Sequence, residues 1–383
     1  MIPYRLNWKS CGGAALAALV ATRIPILLFG LIATKGDLHR MLARWDTGFY
    51  ASIALEGYSW DPSITTRGQN IVFFPLYPFL MRILAPLAGG DVVLAGLMLS
   101  LACFTVGVAL LYRLAALEIG DTGAGAAVLF LVTYPFSLFF SASYTESLFL
   151  LVTVGAFYAM RRERPLEAAL FGLAAGLARP NGFWIAAPLL WLGLEWTKSK
   201  EKDGGTAVRW AAIAVGLCPL VGAALYSGYL HVAFGDALAW IRGQAAWGLP
   251  LVHQTAFRAA TSSPEPVQLA AAAASPLLSS ATEAVEVVVT TANLVAFLFA
   301  IATFIPVSRR LGLAYGMLIP LYLGPPFVAH LVTSMGRFSS VIFPMFFWMA
   351  TTVPRCRVVP LAVAFGVLQA MLAVLFYLGQ PVF

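Results

Sequence analysis

Long runs of apolar residues, separated by short polar or basic segments, set the pattern of this chain of 383 residues. The longest runs lie at about 12–33, 92–112, 208–229, 284–307 and 359–378. Each is near the ~20 residues that a helix needs to cross a bilayer core, whereas strands of a membrane barrel alternate apolar and polar side chains. The pattern therefore predicts an all-α polytopic membrane protein with about 11 transmembrane helices in a single transmembrane domain, residues 1–383.

Two stretches depart from simple spans. Pro75 and Pro78 interrupt an apolar segment at 72–87, and proline inside a helix removes a hydrogen bond and clashes with the preceding turn. We therefore expect this segment to be re-entrant or to lie at the interface. The runs 166–178 and 183–196 are both short and are split by a polar turn, which predicts two short crossings joined at that turn.

Composition agrees with a membrane class, because 60% of the residues are hydrophobic and the mean hydropathy is +0.84, against roughly half apolar residues in soluble domains. The net charge of +7 does not predict nucleic-acid binding, since many basic residues form short clusters between apolar runs. The four cysteines are far apart and predict neither a disulfide framework nor a metal site. The first run lacks a clear cleavage site, so we expect a retained span rather than a cleaved signal peptide.

The positive-inside rule assigns the two sides of the membrane. Basic residues cluster at 161–164, 198–202, 309–310 and 355–357. With the proline-rich segment not crossing, all these clusters fall on the cytoplasmic side. The polar motifs then share the outer side, in outer loops at about 34–91 and 230–283. Arg23 lies within the first run and is expected to face protein or water rather than lipid.

The stretch Arg44–Tyr50 places a cation and a carboxylate beside aromatic residues at the end of the first run. A charged cluster at a membrane boundary is costly to keep, so we interpret Asp46 as the chemical centre of a membrane enzyme. Trp45 and Tyr50 could stack on a sugar. The alternative is a snorkelling Arg44 with aromatic anchors at the interface.

Two further outer motifs carry charge. Glu146 lies between two apolar runs and could bind a sugar hydroxyl or orient a partner, unless it only belongs to a helix start capped by Ser143 or Thr145. Arg179, followed by Asn181, lies in the turn between the two short runs. Its planar fork suits a phosphate, and the alternative is an arginine that caps helix carbonyls.

Arg337 repeats the pattern of an isolated arginine at the outer end of a span, beside Gly336, which would allow close approach of backbone or ligand. The alternative is a snorkelled side chain. His231 and Asp236 could accept a proton or hold a metal, but their spacing is not that of a strong metal site and favours a structural use. No nucleotide-binding loop is evident, which disfavours an ATP-driven pump.

These motifs, in this order, resemble the GPI mannosyltransferase II family. The blocks that carry the resemblance are Arg44–Asp46 with Tyr50 and Gly57–Tyr58, Phe74–Pro78, Phe139–Ser147, Ala178–Gly182 and Arg337–Phe338. The chain resembles a shorter, prokaryotic relative. The resemblance implies a GT-C type glycosyltransferase fold that takes a sugar, by analogy mannose, from a polyprenyl-phosphate donor on the non-cytoplasmic side. It implies a bacterial inner-membrane location with a periplasmic active site, and it places the family's catalytic acidic residue at Asp46.

The acceptor does not carry over from the family, because nothing in this sequence indicates a GPI intermediate, and a glycan, lipid or protein acceptor stays open. As a mechanism we expect Asp46 to act as general base, with inversion of the anomeric configuration. Arg179 and Arg337 are the candidates for holding the lipid phosphate, and Arg44 is the next candidate for that role. The other substrate-binding candidates are Trp45, Tyr50, Glu146, Asn181 and His231. The sequence identifies no cofactor. It also shows no convincing pair of metal ligands, so whether the reaction uses a divalent metal stays open.

Two other classes compete with a glycosyltransferase. A lipid or solute transporter also uses broken helices and charges at the membrane edge. Against it, the sequence has no evident inverted repeat, and its polar groups gather on one side instead of along a path. A non-catalytic assembly subunit is the third class. Membrane lipids and the lipid-linked donor are the expected partners, and nucleic acid is not.

Overall fold

The protein is helical throughout the part of the chain that the structure describes. The structure is a computed structural model, and it describes residues 8–64, 68–200, 205–244, 276–328 and 332–382. No strand occurs within these ranges. The helices of the first half are α1 (Trp8–Ala18), α2 (Ile24–Ala33), α3 (Leu38–Leu42), α4 (Asp46–Glu56), α5 (Leu76–Leu84), α6 (Val92–Thr133), α7 (Glu146–Arg161), α8 (Pro165–Ala178) and α9 (Ala186–Ser199). Those of the second half are α10 (Gly205–Phe234), α11 (Ala239–Gly243), α12 (Pro276–Ala302), α13 (Phe304–Leu311), α14 (Leu313–Val328), α15 (Met335–Ser340), α16 (Phe343–Thr352) and α17 (Arg355–Tyr377).

Five helical stretches of the described chain are long and apolar enough to cross a membrane. They are Gly12–Ala33, Val92–Thr133, Thr206–Phe234, Ala284–Leu311 and Arg355–Tyr377. A sixth is formed if the short helix Pro135–Ser141 and α7, which meet at a bend of 100°, make one broken span. The predicted all-α polytopic membrane class is therefore confirmed, and the chain is an integral membrane protein. The count of about 11 spans is not confirmed.

The proline-rich segment forms a short helix between two 3-10 turns, and its re-entrant or interfacial position stays a prediction. A 3-10 turn at Asn70–Val72 precedes α5, and a second one, Ala85–Ala88, continues it. Helix and continuation extend for roughly 20 Å, well short of a ~30 Å hydrocarbon core. Phe79, Ile83 and Leu87 are exposed along this element, and an exposed apolar face of this kind suits a lipid interface.

The apolar run at 92–112 is part of the single element α6 of 42 residues, with non-helical geometry at Gly120 (φ 78°, ψ 165°). Glycine has no Cβ to clash in that region, so the chain can change direction there without strain. The element ends at Thr133, and Pro135 opens a tight 3-10 turn after it. This turn, Pro135–Ser141, leads directly into α7 and the predicted motif around Glu146.

The two short apolar runs form α8 and α9, 14 residues each, joined by the 3-10 turn Pro180–Ile185. The turn packs so closely on α8 that a Cβ at Gly182 would overlap the carbonyl oxygen of Ala175. The amide of Gly182 also donates to the carbonyl of Arg179 at 2.9 Å. Close packing at Gly182 therefore fixes where Arg179 leaves the helix.

We expect Gly182→Ala to lower the free energy of unfolding by about 1–3 kcal/mol, because the added methyl group forces the turn off α8. The matched control is Gly228→Ala in α10, where an added Cβ meets nothing within 4 Å. Thermal unfolding of the two purified variants in the same detergent measures the difference. Equal midpoints for both variants would show that the close approach at Gly182 does not constrain the turn.

Candidate functional site

Four charged side chains from four separate elements meet in one cluster, which we call the four-charge cluster: Asp46, Glu146, Arg179 and Arg337. Asp46 is the first residue of α4, Glu146 the first of α7, Arg179 follows the end of α8, and Arg337 lies in α15. Arg337 Nη1 donates to Asp46 Oδ2 at 2.6 Å, and its Nε donates to Glu146 Oε1 at 2.5 Å. Arg179 Nη1 donates to the same Glu146 oxygen at 2.8 Å.

Glu146 is the centre of this cluster. Its side chain is fully buried, both guanidinium groups share its Oε1, and its Oε2 has no hydrogen-bond partner in the described chain. The alternative of an ordinary capped helix start is not what the structure shows, because Thr145 makes no side-chain cap and the Ser143 hydroxyl donates instead to the carbonyl of Val93. A buried carboxylate held by two guanidinium groups indicates a built charge arrangement rather than a solvated helix end.

The two arginines are also buried. Each side chain is 7% exposed, so Arg337 is not a snorkelled side chain, and Arg179 donates to a carboxylate rather than to helix carbonyls. The Arg337 guanidinium lies 4.4 Å from the ring centre of Tyr144 and 5.4 Å from that of Phe139. Aromatic faces attract cations and shield them from water, which strengthens the ion pairs in the cluster.

Asp46 is the exposed edge of the cluster, with 14% of its side chain accessible. The residue before it, Trp45, has φ +49° and ψ −115°, a backbone conformation that residues other than glycine rarely adopt. Such strain costs of order 1–3 kcal/mol and is typical of functional sites. The strained turn redirects the chain from α3 into α4, and it thereby places Asp46 opposite Arg337.

Tyr50 lies one turn further along α4 and links it to the start of α7. Its buried hydroxyl is 3.4 Å from the Thr145 hydroxyl, and its ring packs edge-on against Phe73 and Tyr77. Burial raises the pKa of the Tyr50 phenol, and the charge of Asp46 adds to this effect, so the group stays neutral. Tyr50 is therefore a neutral hydroxyl group that connects α4 to Thr145, the residue before Glu146.

Arg44 adjoins the cluster through its backbone but directs its side chain elsewhere. Its carbonyl accepts from the Tyr144 hydroxyl at 3.2 Å, while its Nη2 donates to the carbonyl of Tyr377 in α17 at 2.8 Å. The buried Arg44 Nε has no hydrogen-bond partner in the described chain. Burial lowers the pKa of Arg44, and the nearby Arg40 lowers it further. The structure thus leaves Arg44 beside the four-charge cluster rather than in it.

Among the described residues, Asn181, His231 and Asp236 form no hydrogen bond or ion pair with the four-charge cluster. Asn181 is buried in the turn after Arg179, and its Oδ1 lacks a hydrogen-bond partner among the described residues. His231 is exposed near the end of α10, and Asp236 pairs with Arg242 at 2.9 Å. Within the described ranges, no group of three or more His, Cys, Asp and Glu side chains is arranged to hold a metal ion. Part of the predicted second outer loop, 245–275, lies outside the described residues.

One supporting residue was missed by sequence reasoning. Asn293, in the apolar helix α12, is fully buried, and its Oδ1 accepts from the amide of Gly336 at 2.8 Å. Gly336 itself packs against the ring of Phe136, in the turn before Glu146. The close approach predicted at Gly336 is therefore to an aromatic side chain. A carboxamide side chain inside a candidate membrane span was the signal that could have identified Asn293.

A groove of about 360 Å³ lies beside the cluster, on the second half of α4. Its lining is mostly apolar and aromatic and comes from α4, the proline-rich segment, α8 and α10, including Ile53, Pro78, Leu177 and Tyr226. Ile53 follows Asp46 by two helical turns, and Leu177 precedes Arg179 by two residues. The groove contains none of the four charged residues, so it is a neighbouring apolar surface.

Comparisons with known proteins agree with the motifs. Residues 25–191 match the family model described as Mannosyltransferase (PIG-V). The GPI alpha-1,6-mannosyltransferase 2 of Rattus norvegicus is 34% identical over 157 residues, that of Mus musculus 35% over 158, and that of Homo sapiens 32% over 158. Each match covers 37% of this chain and 29% of the relative, so the chain spans less than a third of these curated relatives. The predicted family resemblance is confirmed for the matched segment, which includes Asp46, Glu146 and Arg179 but ends before Arg337.

Two solved structures resemble the fold at low sequence identity, and both are crystal structures of the Archaeoglobus fulgidus oligosaccharyltransferase. The complex with Zn and sulfate is 15% identical, with a TM-score of 0.47, and the match covers 92% of this chain and 52% of that one. The form tethered to an acceptor peptide with an NVT sequon is 12% identical, with a TM-score of 0.48, and the match covers 96% of this chain and 55% of that one.

Proposed function

We propose that this chain, which matches the mannosyltransferase (PIG-V) family over residues 25–191, is a GT-C type integral-membrane glycosyltransferase. It transfers a sugar, taken to be mannose, from a polyprenyl-phosphate donor to a glycan, lipid or protein acceptor. The observation that carries this proposal is the four-charge cluster, in which a partly accessible carboxylate faces a buried guanidinium at 2.6 Å. Sugar transfer needs a base for the acceptor and positive charge for the leaving phosphate, and the cluster supplies both.

Asp46 acts as the base in this mechanism because it is the accessible carboxylate of the cluster. The acceptor oxygen attacks the anomeric carbon while its proton passes to an Asp46 oxygen. The bond between the anomeric carbon and the phosphate oxygen breaks at the same time, and polyprenyl phosphate leaves with the bonding electrons. A single displacement of this kind inverts the anomeric configuration.

Arg337 and Arg179 hold the phosphate. Without donor, the two carboxylates and two guanidinium groups of the cluster sum to zero formal charge, and Arg337 is occupied by Asp46 and Glu146. The negative phosphate therefore competes with Asp46 for Arg337. As the phosphate takes this guanidinium, the Asp46 carboxylate is released from Arg337 and is free to accept the acceptor's proton. Binding of the donor thus prepares the base.

The cluster is assigned to the non-cytoplasmic side, in a periplasmic active site of a bacterial inner membrane. Helix α7 supports this side, because it begins at Glu146 and ends at Arg161 of the first basic cluster, about 24 Å away along 16 residues. The basic cluster indicates the cytoplasmic end, and the four-charge cluster lies at the other. The neighbouring apolar groove on α4 offers lipid contact on the same side.

Incubation of the purified protein, reconstituted in lipid vesicles, with polyprenyl-phosphate mannose and a lipid extract of the source membrane tests the function. We expect a product heavier than its acceptor by one hexose, with an anomeric configuration opposite to that of the donor in an NMR spectrum. Transport of the intact donor across vesicles without any product would overturn the proposal in favour of a transporter. Absence of both, with donor bound, would favour a non-catalytic subunit.

A further inference from the structure

A third buried arginine lies outside the four-charge cluster. Arg23, in the first candidate span, is fully buried, and its guanidinium is 4.9 Å from the ring centre of Phe104. Its Nη2 donates to the carbonyl of Val132 at 2.7 Å and to Gln369 Oε1 at 3.3 Å. Its Nη1 donates to the carbonyl of Ser137 and to the Ser141 hydroxyl. Every one of these acceptors is uncharged, and no carboxylate of the described chain pairs with Arg23.

The acceptors of Arg23 lie around one short piece of backbone, the turn that leads to Glu146. Val132 lies at the end of α6, and Ser137 and Ser141 belong to the 3-10 turn. Gln369 of α17 joins from the other side, since its amide donates to the carbonyls of Val132 at 3.2 Å and Tyr134 at 2.9 Å. Side chains of the first and last candidate spans therefore hold the same turn.

The opposite side of this turn carries Arg337 and its helix α15. The Tyr134 hydroxyl is 2.7 Å from the Ser339 hydroxyl, and the Phe136 ring packs on Gly336. Phe139, in the same turn, provides one of the two aromatic faces over the Arg337 guanidinium. The turn thus lies between Arg23 on one side and Arg337 on the other, and Glu146 follows its end by a few residues.

A buried guanidinium without a counter-ion is expensive inside a membrane, and a neutral side chain could satisfy single helix carbonyls. The planar fork of arginine reaches acceptors on both sides of the bend at once, which a smaller group does not. We propose that Arg23, together with Gln369, is a positioning residue that holds the turn Pro135–Ser141, so that Glu146 and Phe139 keep Arg337 in place for catalysis. The catalytic part of this proposal rests on the proposed function.

A double-mutant cycle tests the proposal. We expect Arg23→Met to lower kcat/KM for transfer from polyprenyl-phosphate mannose by about 10–100-fold, because a displacement near 1 Å in a reacting group can cost ~10²-fold. In a Glu146→Gln background the same substitution should cost less than about threefold, since both changes act on one unit. If the loss in kcat/KM of the double variant equals the product of the two single losses, the proposal is overturned. An unchanged kcat/KM in Arg23→Met would also overturn it.

The matched control is Tyr315→Phe, which removes the 2.8 Å hydrogen bond to Glu118 at the other end of the α6–α7 pair. We expect it to leave kcat/KM within about twofold. If Arg23→Met does not fold, Gln369→Leu keeps Arg23 and removes only the amide contacts to the turn. Its expected loss is smaller, about 3–10-fold, with the same dependence on Glu146.

Hydrogen exchange separates positioning from function. With any of the folded variants, faster backbone exchange confined to residues 134–147, and absent in Tyr315→Phe, supports the positioning role. Exchange that is unchanged, or that rises equally across the helices, overturns it. This measurement needs no substrate. A wild-type protein without transfer activity would therefore end the proposed function, while the exchange rates would still decide whether Arg23 holds the turn.

Discussion

Replacing Asp46 by asparagine should lower the turnover number for sugar transfer by about 10²–10⁴-fold, the usual contribution of a general base. Asparagine keeps the shape of the side chain and can still contact Arg337, but it cannot accept the acceptor's proton. Initial rates of product formation from polyprenyl-phosphate mannose, at saturating donor, measure the loss.

The control for Asp46→Asn is Glu118→Gln, which alters a carboxylate of similar burial in an ion pair with Arg161 at 2.5 Å, near the opposite end of α7. The Glu118 side chain is 7% exposed, so Glu118→Gln, like Asp46→Asn, is expected to lower the stability of the protein. Turnover per folded molecule should nevertheless stay close to that of the wild type. A similar fall in turnover for both variants would indicate a general effect of losing a buried charge, and Asp46 would then have no special part in the chemistry.

Replacing Arg337 by lysine should lower turnover by about 10²–10³-fold, the cost of removing one group that stabilises developing negative charge. The charge is retained, but one ammonium group cannot reproduce the fork that reaches Asp46 through Nη1 and Glu146 through Nε. Affinity for the donor should fall too, because the same fork is needed by the phosphate. Donor titrations together with transfer rates measure both effects.

Arg161→Lys is the control for Arg337→Lys, because Arg161 likewise makes two hydrogen bonds to carboxylate oxygens, here both on Glu118, and lies outside the proposed site. We expect its donor affinity and turnover to match the wild type. If Arg337→Lys binds the donor as tightly as the wild type does, the assignment of Arg337 to the lipid phosphate is wrong.

The class of the protein could be predicted from the sequence because apolar runs and basic clusters are local signals. The same holds for the break between α8 and α9 and for the short helix of the proline-rich segment, where Pro and Gly act on their own backbone. Local physics also predicted that Arg23 would face protein or water rather than lipid, which agrees with its full burial. It could not predict which residues would receive its hydrogen bonds, since Gln369 is 346 positions away.

The site shows the same limit. Asp46 could be singled out because a charged cluster at a membrane boundary is costly to keep, whereas for Glu146, Arg179 and Arg337 the sequence left a structural alternative open. Their contact could not be predicted, because Asp46 and Arg337 are separated by 291 positions and the pairing depends on how several helices pack. His231 has an equally suggestive residue type, yet the structure leaves it exposed on α10. Residue type alone does not determine which side chains share a site.

The most direct measurement determines donor affinity and single-turnover transfer rate on one preparation of Asp46→Asn, beside wild-type protein. Our account predicts donor affinity at least equal to that of the wild type, because the phosphate no longer competes with the Asp46 charge for Arg337. It predicts a transfer rate lower by about 10²–10⁴-fold, because asparagine cannot accept the acceptor's proton. Transfer at the wild-type rate would contradict the account, and so would a loss of donor binding that explains the whole loss of transfer.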